Sequence, residues 1–354
     1  MEVSEVKPTF TLGGWVRNNQ LITSMVILGA LALLPLAIGS SGLWMRVMCL
    51  IFINSLLSMG LMVITGYTGM LNMGHAAFYG VGAYVAAILA LTYNQPFWVC
   101  FIAAAVAAGL AGFIIAFPCL RVATDFLSLI TIAFAEVFST IALNWMEVTR
   151  GPMGLPGIPT ISIAGFEINN SYRFYYLFLI IGVLVFFALT NILNSRVGRA
   201  LKAIRDDEIC AQAQGINIRY YKVLAFVLGT IPAGMAGALI AFFIQFIGPA
   251  MFRFETSLVI MNMVILGGLG SLPGALLGAV FFIGFTELIR PLAVYRVGVG
   301  GITMILLMLF RPQGIMGSAA FAGMGGLQGK IQRWRMKLLA RSNSDCSRQN
   351  LDGR

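Results

Sequence analysis

Long apolar stretches alternate with short polar segments along most of this chain. Because about 20 apolar residues cross the ~30 Å hydrocarbon core of a bilayer, each such stretch predicts a membrane-spanning helix. The eighth stretch is short and ends in glycine, which is typical of a half-helix. Ten spans are predicted, over 21–39, 44–65, 71–91, 97–118, 124–144, 174–192, 223–246, 257–267, 272–289 and 295–310.

The composition is that of a membrane protein. Of its 354 residues, 59% are hydrophobic and 10% are charged, and the mean hydropathy is +0.90. A soluble domain is about 25% charged, so lipid must cover most of this molecule. The predicted fold class is an all-α, polytopic membrane helix bundle, and the 40 glycines and 19 methionines suit close helix packing.

The net charge of +10 is carried by loops and by the C-terminal tail, which disfavours nucleic acid as a partner. With the N-terminus inside, 17 of the 23 lysines and arginines fall on the inner side and six on the outer side. This asymmetry indicates about ten spans with both termini cytoplasmic. Segment 1–20 and the basic tail 311–354 are then cytoplasmic, and the amphipathic stretch 330–339 is expected to lie against anionic lipid.

The longest internal hydrophilic segment is the loop 194–222. Its residues 200–214 predict one helix, with Asn194 or Ser195 as the N-cap and Gly215 at the C′ position that favours glycine. The pattern fits a helix whose exposed charged corner is bound by another protein, and it fits a solvated loop with a short helix equally well. The charged corner consists of Arg205, Asp206, Asp207 and Glu208.

Two glycine-rich segments that open successive spans resemble each other. Gly69-Met70-Leu71 leads to Gly74, and Gly270-Ser271-Leu272 leads to Gly274. A repeat with the substrate path between its halves recurs among transporters, whereas small residues also serve helix packing alone. Both interpretations remain open. The candidate path residues in these segments are Gly66, Gly69, Gly74, His75, Gly268, Gly270 and Gly274.

Two ionisable side chains, Glu136 and His75, are candidates for a role inside the predicted spans. Glu136 falls inside the fifth span, where a carboxylate costs about 2.5–3.5 kcal/mol, so it is expected to face protein or water. Two interpretations of Glu136 remain open: it lines the translocation path, or it forms a hydrogen bond to a neighbouring helix. His75, the only histidine, has no acid or histidine nearby in sequence, which favours a buried structural hydrogen bond over a proton relay.

The sequence contains no catalytic, metal or cofactor motif. The five cysteines have neither metal-ligand spacing nor a CxxC pair. A phosphate-binding loop needs Gly-x-x-x-x-Gly-Lys-Ser/Thr, whereas the single Gly-Lys pair, Gly329-Lys330, is followed by Ile331. The chain is therefore predicted not to be an enzyme, and any ATP-driven process would need a separate subunit.

Five stretches along the chain resemble the permeases of branched-chain amino-acid ABC importers, in that family's order. The similarity is greater to the larger of the family's two paired permease subunits. It implies a type II-like permease domain over 21–310, in the cytoplasmic (inner) membrane of a bacterium. The stretches are GYTGMLNMGHAAFYGVGAY (66–84), GPMGLPGIP (151–159), the loop and span over 198–239, VILGGLGSLPGALLGAV (264–280) and RPQGIMG (311–317).

The resemblance also implies partners and a substrate class. The partners would be a second permease subunit, two ATP-binding subunits and an extracytoplasmic solute-binding protein. The loop 145–173 would either receive the binding protein or act as a plain connector. Branched-chain amino acids or related small solutes are the implied substrates, with urea, short amides or other amino acids as alternatives. An ion-coupled secondary transporter is less favoured, because Glu136 alone gives little support for a coupling site.

In this family, residues 199–215 would form the coupling helix that docks into a groove on the ATPase. A rigid helix joined to two spans can act as a lever on them. ABC permeases carry Glu-Ala-Ala followed by glycine in this loop, whereas this chain has Ile209-Cys210-Ala211, with Glu208 one place away. The implied coupling residues are Arg199, Arg205, Asp206, Asp207, Glu208 and Gly215.

Overall fold

The computed structural model describes residues 42–119, 124–163, 166–168 and 170–288, together with Pro35, Gly301, Gly314 and Ile315. Apart from those four isolated residues, the predicted first and tenth spans, segment 1–20 and the tail 311–354 lie outside the described residues.

Six helices in the described part are long and apolar enough to cross a membrane. They are α1 (Gly42–Leu61, continued by a π-helical turn over Met62–Gly66), α2 (His75–Thr92), α3 (Phe97–Cys119), α4 (Thr124–Asn144), α6 (Ser171–Asn194) and α9 (Ile218–Ile244). The shorter helices are α5 (Met146–Thr149), α7 (Arg196–Asp206), α8 (Glu208–Ala213), α10 (Phe254–Gly267) and α11 (Leu272–Leu288), with 3-10 turns over Gly151–Met153 and Pro249–Phe252. The protein is thus a predominantly helical, polytopic membrane protein.

The second to seventh predicted spans coincide with these six helices, and α4 has the predicted ends. Helix α2 begins four residues later than predicted. Gly69 adopts a left-handed backbone with φ +76°, and the Asn72 side chain accepts a hydrogen bond from the Gly74 N–H at 3.0 Å. These two features keep residues 69–74 out of helical geometry. Helix α9 begins five residues earlier than predicted, because Asn217 caps its first turn.

The predicted eighth and ninth spans form a bent pair. Helices α10 and α11 have 14 and 17 residues, which gives lengths of about 21 and 26 Å, each short of the ~30 Å core. They are bent by 119°, as in a broken span or a re-entrant loop, and counting the pair as one span gives up to seven in the described part. A bend beyond a right angle turns the second helix back toward the side from which the first began.

Helix α9 lies at the centre of the bundle and packs against α1, α2 and α3. Glycines allow these helices to approach closely. A Cβ atom at Gly82 of α2 would overlap the backbone of Gly234, and one at Gly229 would stand 2.6 Å from the carbonyl oxygen of Gly60. Close packing of small residues drives helix association in lipid, so part of the glycine content serves the bundle itself.

Four short strands depart from the all-α prediction. β1 (Leu155–Pro156) pairs with β4 (Phe246–Ile247), and β2 (Ile161–Ile163) pairs with β3 (Phe166–Ile168), both antiparallel. The first pair joins the loop 145–173 to the end of α9. Strands of two or three residues are too short to show a hydrophobic period, which is why the sequence pattern did not predict them.

Candidate translocation path and coupling loop

The segment between α1 and α2, residues 69–74, re-enters the bundle as non-helical chain. His75 Nε2 lies 3.3 Å from the position of a Cβ atom at Gly60, and Gly60 precedes Gly66 by about 9 Å along the helix axis. His75 is therefore deeper in the membrane than Gly66. Irregular backbone at that depth occurs only where protein or a water-filled cavity surrounds it.

His75 is completely buried, with 0% of its surface exposed. Its Nδ1 atom lies 3.5 Å from Asn72 Nδ2. The next residue, Ala76, donates its backbone N–H to Ser257 Oγ of α10 at 2.9 Å. These contacts hold the start of α2 in the interior, and the structural interpretation of His75 stays a prediction.

Gly74 lies against α4. A Cβ atom at Gly74 would overlap the carbonyl of Thr131, whose Oγ1 accepts a hydrogen bond from the Met73 N–H at 3.1 Å. Helix packing, one of the two interpretations of this glycine, accounts for its position. Thr131 was not selected from the sequence, because a single threonine in an apolar helix carries no distinctive signal.

The second glycine-rich loop, residues 268–271, turns α10 into α11. Gly268 and Gly270 have φ values of +104° and +90°, which residues other than glycine rarely adopt. Gly267 and Gly274 face each other across the turn, and a Cβ atom at Gly274 would stand 2.5 Å from the Gly267 carbonyl oxygen. Glycine here is required by both the turn and the close approach.

The two glycine-rich loops meet. A Cβ atom at Gly66 would stand 2.9 Å from the backbone nitrogen of Gly270, and the Gly270 N–H donates to Met62 Sδ at 3.2 Å. Gly66 and Gly270, two candidate path residues far apart in sequence, are thus in close contact. The structure does not itself show an internal duplication; the contact is between the π-helical turn that precedes the first segment and the turn that opens the second.

Glu136 lies on the outward face of α4. It is the 13th of the 21 residues of this helix, roughly 18 Å from its start. Leu129 and Val137 are also exposed, while Thr131 and Ala135 on the other face are buried. Within the described part of the chain, no ion pair involves Glu136. A carboxylate with this depth and direction needs a partner other than lipid tails.

The loop 194–222 contains α7 and α8 instead of the single helix predicted over 200–214. The break is at Asp207, which is extended (φ −161°, ψ 115°). Its side chain caps α8 by accepting a hydrogen bond from the Cys210 N–H at 2.9 Å. This bond holds the pKa of Asp207 below its ordinary value. A carboxylate that caps a new helix also ends the previous one, so the single-helix prediction is wrong.

The predicted caps of this segment are confirmed, although α7 begins at Arg196, four residues before the predicted start. Ser195, one of the two candidate N-caps, accepts a hydrogen bond from the Val197 N–H at 3.2 Å. Gly215 has φ +81° and follows α8 at the C′ position, where the Ile216 N–H bonds to the Ala211 carbonyl at 3.1 Å. This is the Schellman arrangement that glycine favours.

The charged corner is not uniformly exposed. The Arg205 side chain is 13% exposed, and its Nη1 donates to the Gly66 carbonyl at 2.9 Å. Glu208 accepts a hydrogen bond from Lys222 Nζ at 2.7 Å, while Asp206 remains exposed. The expectation of a solvent-facing corner is therefore wrong for Arg205, because local spacing cannot reveal a partner 139 residues away.

The outward face of this loop carries an apolar residue that the sequence analysis did not select. Ile209 is 81% exposed and occupies the first place of the triplet that corresponds to Glu-Ala-Ala. Arg199 and Cys210 are exposed as well. The signal that could have identified Ile209 is its large apolar side chain within a hydrophilic segment.

Metal coordination finds no support among the described residues, where no group of three or more His, Cys, Asp or Glu could hold an ion. Cys49 and Cys100 are buried free cysteines.

Known proteins are similar to this sequence over most of its length. The family described as "Branched-chain amino acid transport system / permease component" matches residues 43–310. The high-affinity branched-chain amino acid transport system permease protein LivM of Escherichia coli (strain K12) is 31% identical over 327 residues, which cover 86% of this chain and 76% of LivM. LivM of Salmonella typhimurium (strain LT2) is 32% identical over 305 residues, with coverage of 80% and 71%.

A second type of relative, LivH of Escherichia coli (strain K12), is 28% identical over 282 residues, which cover 74% of this chain and 91% of LivH. The alignment with LivM is longer than the alignment with LivH, yet it covers a smaller share of its relative, 76% against 91%. LivM is therefore the longer of the two relatives. The greater similarity is thus to the longer type.

Proposed function

Because the chain belongs to the family of permease components of branched-chain amino acid transport systems, we propose that it is one of two permease subunits of an ATP-driven importer. Leucine, isoleucine, valine or related small solutes are the proposed substrates, in line with the names of the LivM and LivH relatives. Both relatives come from one organism, which supports a pair of different permease subunits.

The loop 194–222 is the observation that carries this proposal. Helices α7 and α8 bury Leu201, Ile204 and Ala211 and leave Asp206 and Ile209 exposed. A separate ATPase is the proposed energy source, in line with the lack of a phosphate-binding loop in the sequence, and this exposed surface is its proposed docking site. The proposed coupling residues are Arg199, Asp206, Asp207, Glu208, Ile209 and Gly215.

Glu136 supports a path between this chain and the second permease subunit. Lipid against the exposed face of α4 would leave the carboxylate poorly solvated, at a free-energy cost of about 2.5–3.5 kcal/mol. A water-filled path removes that cost, and a carboxylate there can attract the ammonium group of an amino acid. The contact between Gly66 and Gly270 lies next to the loop 194–222 and is proposed to form the inner end of the path.

The proposed orientation has both termini on the cytoplasmic side, as the charge asymmetry predicts. The 119° bend between α10 and α11 supports it, because a pair that returns to its starting side leaves later loops on the predicted sides. The loop 145–173 then faces outward and is the proposed contact for a solute-binding protein. The proposed location is the cytoplasmic (inner) membrane of a bacterium.

Reconstitution tests the proposal. The chain is co-expressed with a LivH-like permease and its ATP-binding subunits, and the purified complex is placed in proteoliposomes with a binding protein and labelled leucine. Uptake is expected only when ATP is present on the side of the loop 194–222, and it should survive an ionophore that dissipates ion gradients. Uptake driven by an ion gradient without ATP, or a complex that retains no ATPase, would contradict the proposal.

A further inference from the structure

The loop 194–222 is attached to the end of α1 by two side chains one helical turn apart on α7. Arg205 donates from Nη1 to the Gly66 carbonyl at 2.9 Å. Lys202 Nζ lies 5.4 Å from the centre of the Tyr67 ring, within the range of a cation–π contact. Because the Arg205 side chain is only 13% exposed, most of it is covered by this chain rather than available to a partner.

The Gly66 carbonyl is well suited to a cation. It lies at the end of a π-helical turn that follows α1, and the last carbonyls of a helix have no partner within the helix. The negative end of the helix dipole also favours a positive charge there. Gly69 makes room for the side chain, since a Cβ atom at that glycine would stand 3.2 Å from Arg205 Cγ.

The same glycine connects this contact to the second loop. The backbone of Gly66 packs on Gly270, whose N–H donates to Met62 Sδ of the π-helical turn. Arg205 therefore contacts the first glycine-rich loop directly and the turn between α10 and α11 through one intermediate. Packed elements of this kind move as units between discrete arrangements rather than deforming continuously.

We propose that Arg205 is a positioning residue that transmits movement of the loop 194–222 to both glycine-rich loops, and that it is not a docking residue for the ATPase. This rests on the proposed function, in which the ATPase binds that loop. Arg205, Gly66 and Gly69 move together during transport. The hydrogen bond ends on a backbone carbonyl, so it transmits force to the main chain at the point where α1 stops.

Substitution of Arg205 separates transmission from docking. In Arg205→Met the ATPase should remain bound and hydrolysis should continue, while solute uptake per ATP hydrolysed falls roughly tenfold or more through loss of a charged hydrogen bond. Arg205→Lys keeps one charged donor and should retain an intermediate ratio. Arg196→Met, which removes an exposed arginine from the first position of α7, is the matched control and should keep the wild-type ratio.

A reversible covalent link tests the joint movement directly. A Cβ atom at Gly69 would stand 4.0 Å from Arg205 Cβ, within the ~3.5–4.5 Å of a disulfide. Gly69→Cys with Arg205→Cys, in a Cys210→Ser background, should show low uptake per ATP when reduced and a severalfold higher ratio when oxidised. The strain of a side chain at Gly69, whose φ is +76°, is present in both redox states, so the comparison is made within the same protein. A merely structural arginine would not give a transport ratio that follows the redox state in an assembled complex.

The outcomes distinguish this proposal from the proposed function. Loss of uptake on oxidation, restored by reduction, would show that the two segments move relative to each other and would overturn the Arg205 proposal. Loss of ATPase from Arg205→Met, with retention by wild type, would identify Arg205 as a docking residue and overturn it as well. A wild-type complex that retains no ATPase would instead contradict the proposed function itself.

Discussion

Gly74 lies directly against the backbone carbonyl of Thr131, so a Cβ atom at this glycine would overlap that oxygen. The contact joins the start of α2 to α4, and Met73 reinforces it by donating its N–H to Thr131 Oγ1 at 3.1 Å. Neither partner is a flexible side-chain end that could move aside. The change in stability when a side chain is added at Gly74 therefore measures helix packing at this contact.

Gly74→Ala is expected to destabilise the protein by about 1–3 kcal/mol, as overpacking of a closely packed interior does. The measurement is the melting temperature of the purified chain in detergent. Gly284→Ala is the matched control, since a Cβ atom at Gly284 of α11 meets nothing within 4 Å. An unchanged melting temperature with reduced uptake would instead favour a role for Gly74 on the path.

Glu136 should tolerate loss of its charge without loss of stability. Because it is exposed and in no ion pair with any described residue, Glu136→Gln and Glu136→Ala leave no buried group of this chain unsatisfied. Both should melt like wild type, and both should reduce uptake by the reconstituted complex, whereas Glu136→Asp should retain more activity. A structural hydrogen bond would show the reverse, with Ala losing about 1–3 kcal/mol of stability and Gln remaining active.

The extent of the spans could be predicted from the sequence, and the contacts that organise their ends could not. Helix α4 has its predicted limits, because polar residues bound its apolar stretch at both ends. The start of α2 was missed because a hydrogen bond from Gly74 to Asn72 overrides the apolar pattern. The break at Asp207 was missed for a similar local reason, namely a side-chain cap inside a helix-forming segment.

The candidate site was predictable in its parts but not in its assembly. The glycine-rich segments and the loop 194–222 were selected from the sequence, yet the contact between Gly66 and Gly270 joins regions with no shared local pattern. Arg205 was grouped with its acidic neighbours as an exposed corner, although it reaches Gly66. Long-range partners of charged side chains depend on the packing of the bundle, which composition and spacing do not encode.

Cysteine labelling in whole cells tests the orientation. Single cysteines replace Met153, which is 83% exposed, and Arg219, which is exposed as well, in a chain without native cysteines. A membrane-impermeant maleimide should label position 153 in intact cells and position 219 only after permeabilisation. In the wild-type chain, the exposed Cys210 should follow position 219. Labelling of both introduced positions from outside would contradict the topology with both termini cytoplasmic.

Ile209→Asp is expected to weaken retention of the ATPase. Ile209 is 81% exposed, so a charge there should change the melting temperature of the isolated chain little, since surface substitutions usually stay within about 0.5 kcal/mol. The desolvation of a carboxylate in the proposed apolar contact should nevertheless reduce binding, measured by co-purification. Asn194→Asp adds the same charge at an exposed position at the end of α6 and should retain the ATPase. Equal retention by both variants would exclude Ile209 as a docking contact.

Asp207 provides the last test, because its side chain sets the break between α7 and α8. Asp207→Ala should speed hydrogen exchange of the Cys210 amide, which loses its acceptor, whereas Asp207→Asn and Asp207→Ser should preserve protection as good N-cap residues. Asp206→Ala, one position earlier, is the control and should leave exchange in α8 unchanged.

The lowered pKa of Asp207 fixes the sign of the pH effect: the cap stabilises the loop above the ordinary carboxyl range and is lost only as the pH falls through the folded pKa. At neutral pH the cap should therefore be complete, and titration in the acid range should remove protection of the Cys210 amide in wild type but not in Asp207→Asn. Equal acid sensitivity of the two proteins would mean that another group, and not this carboxylate, stabilises α8.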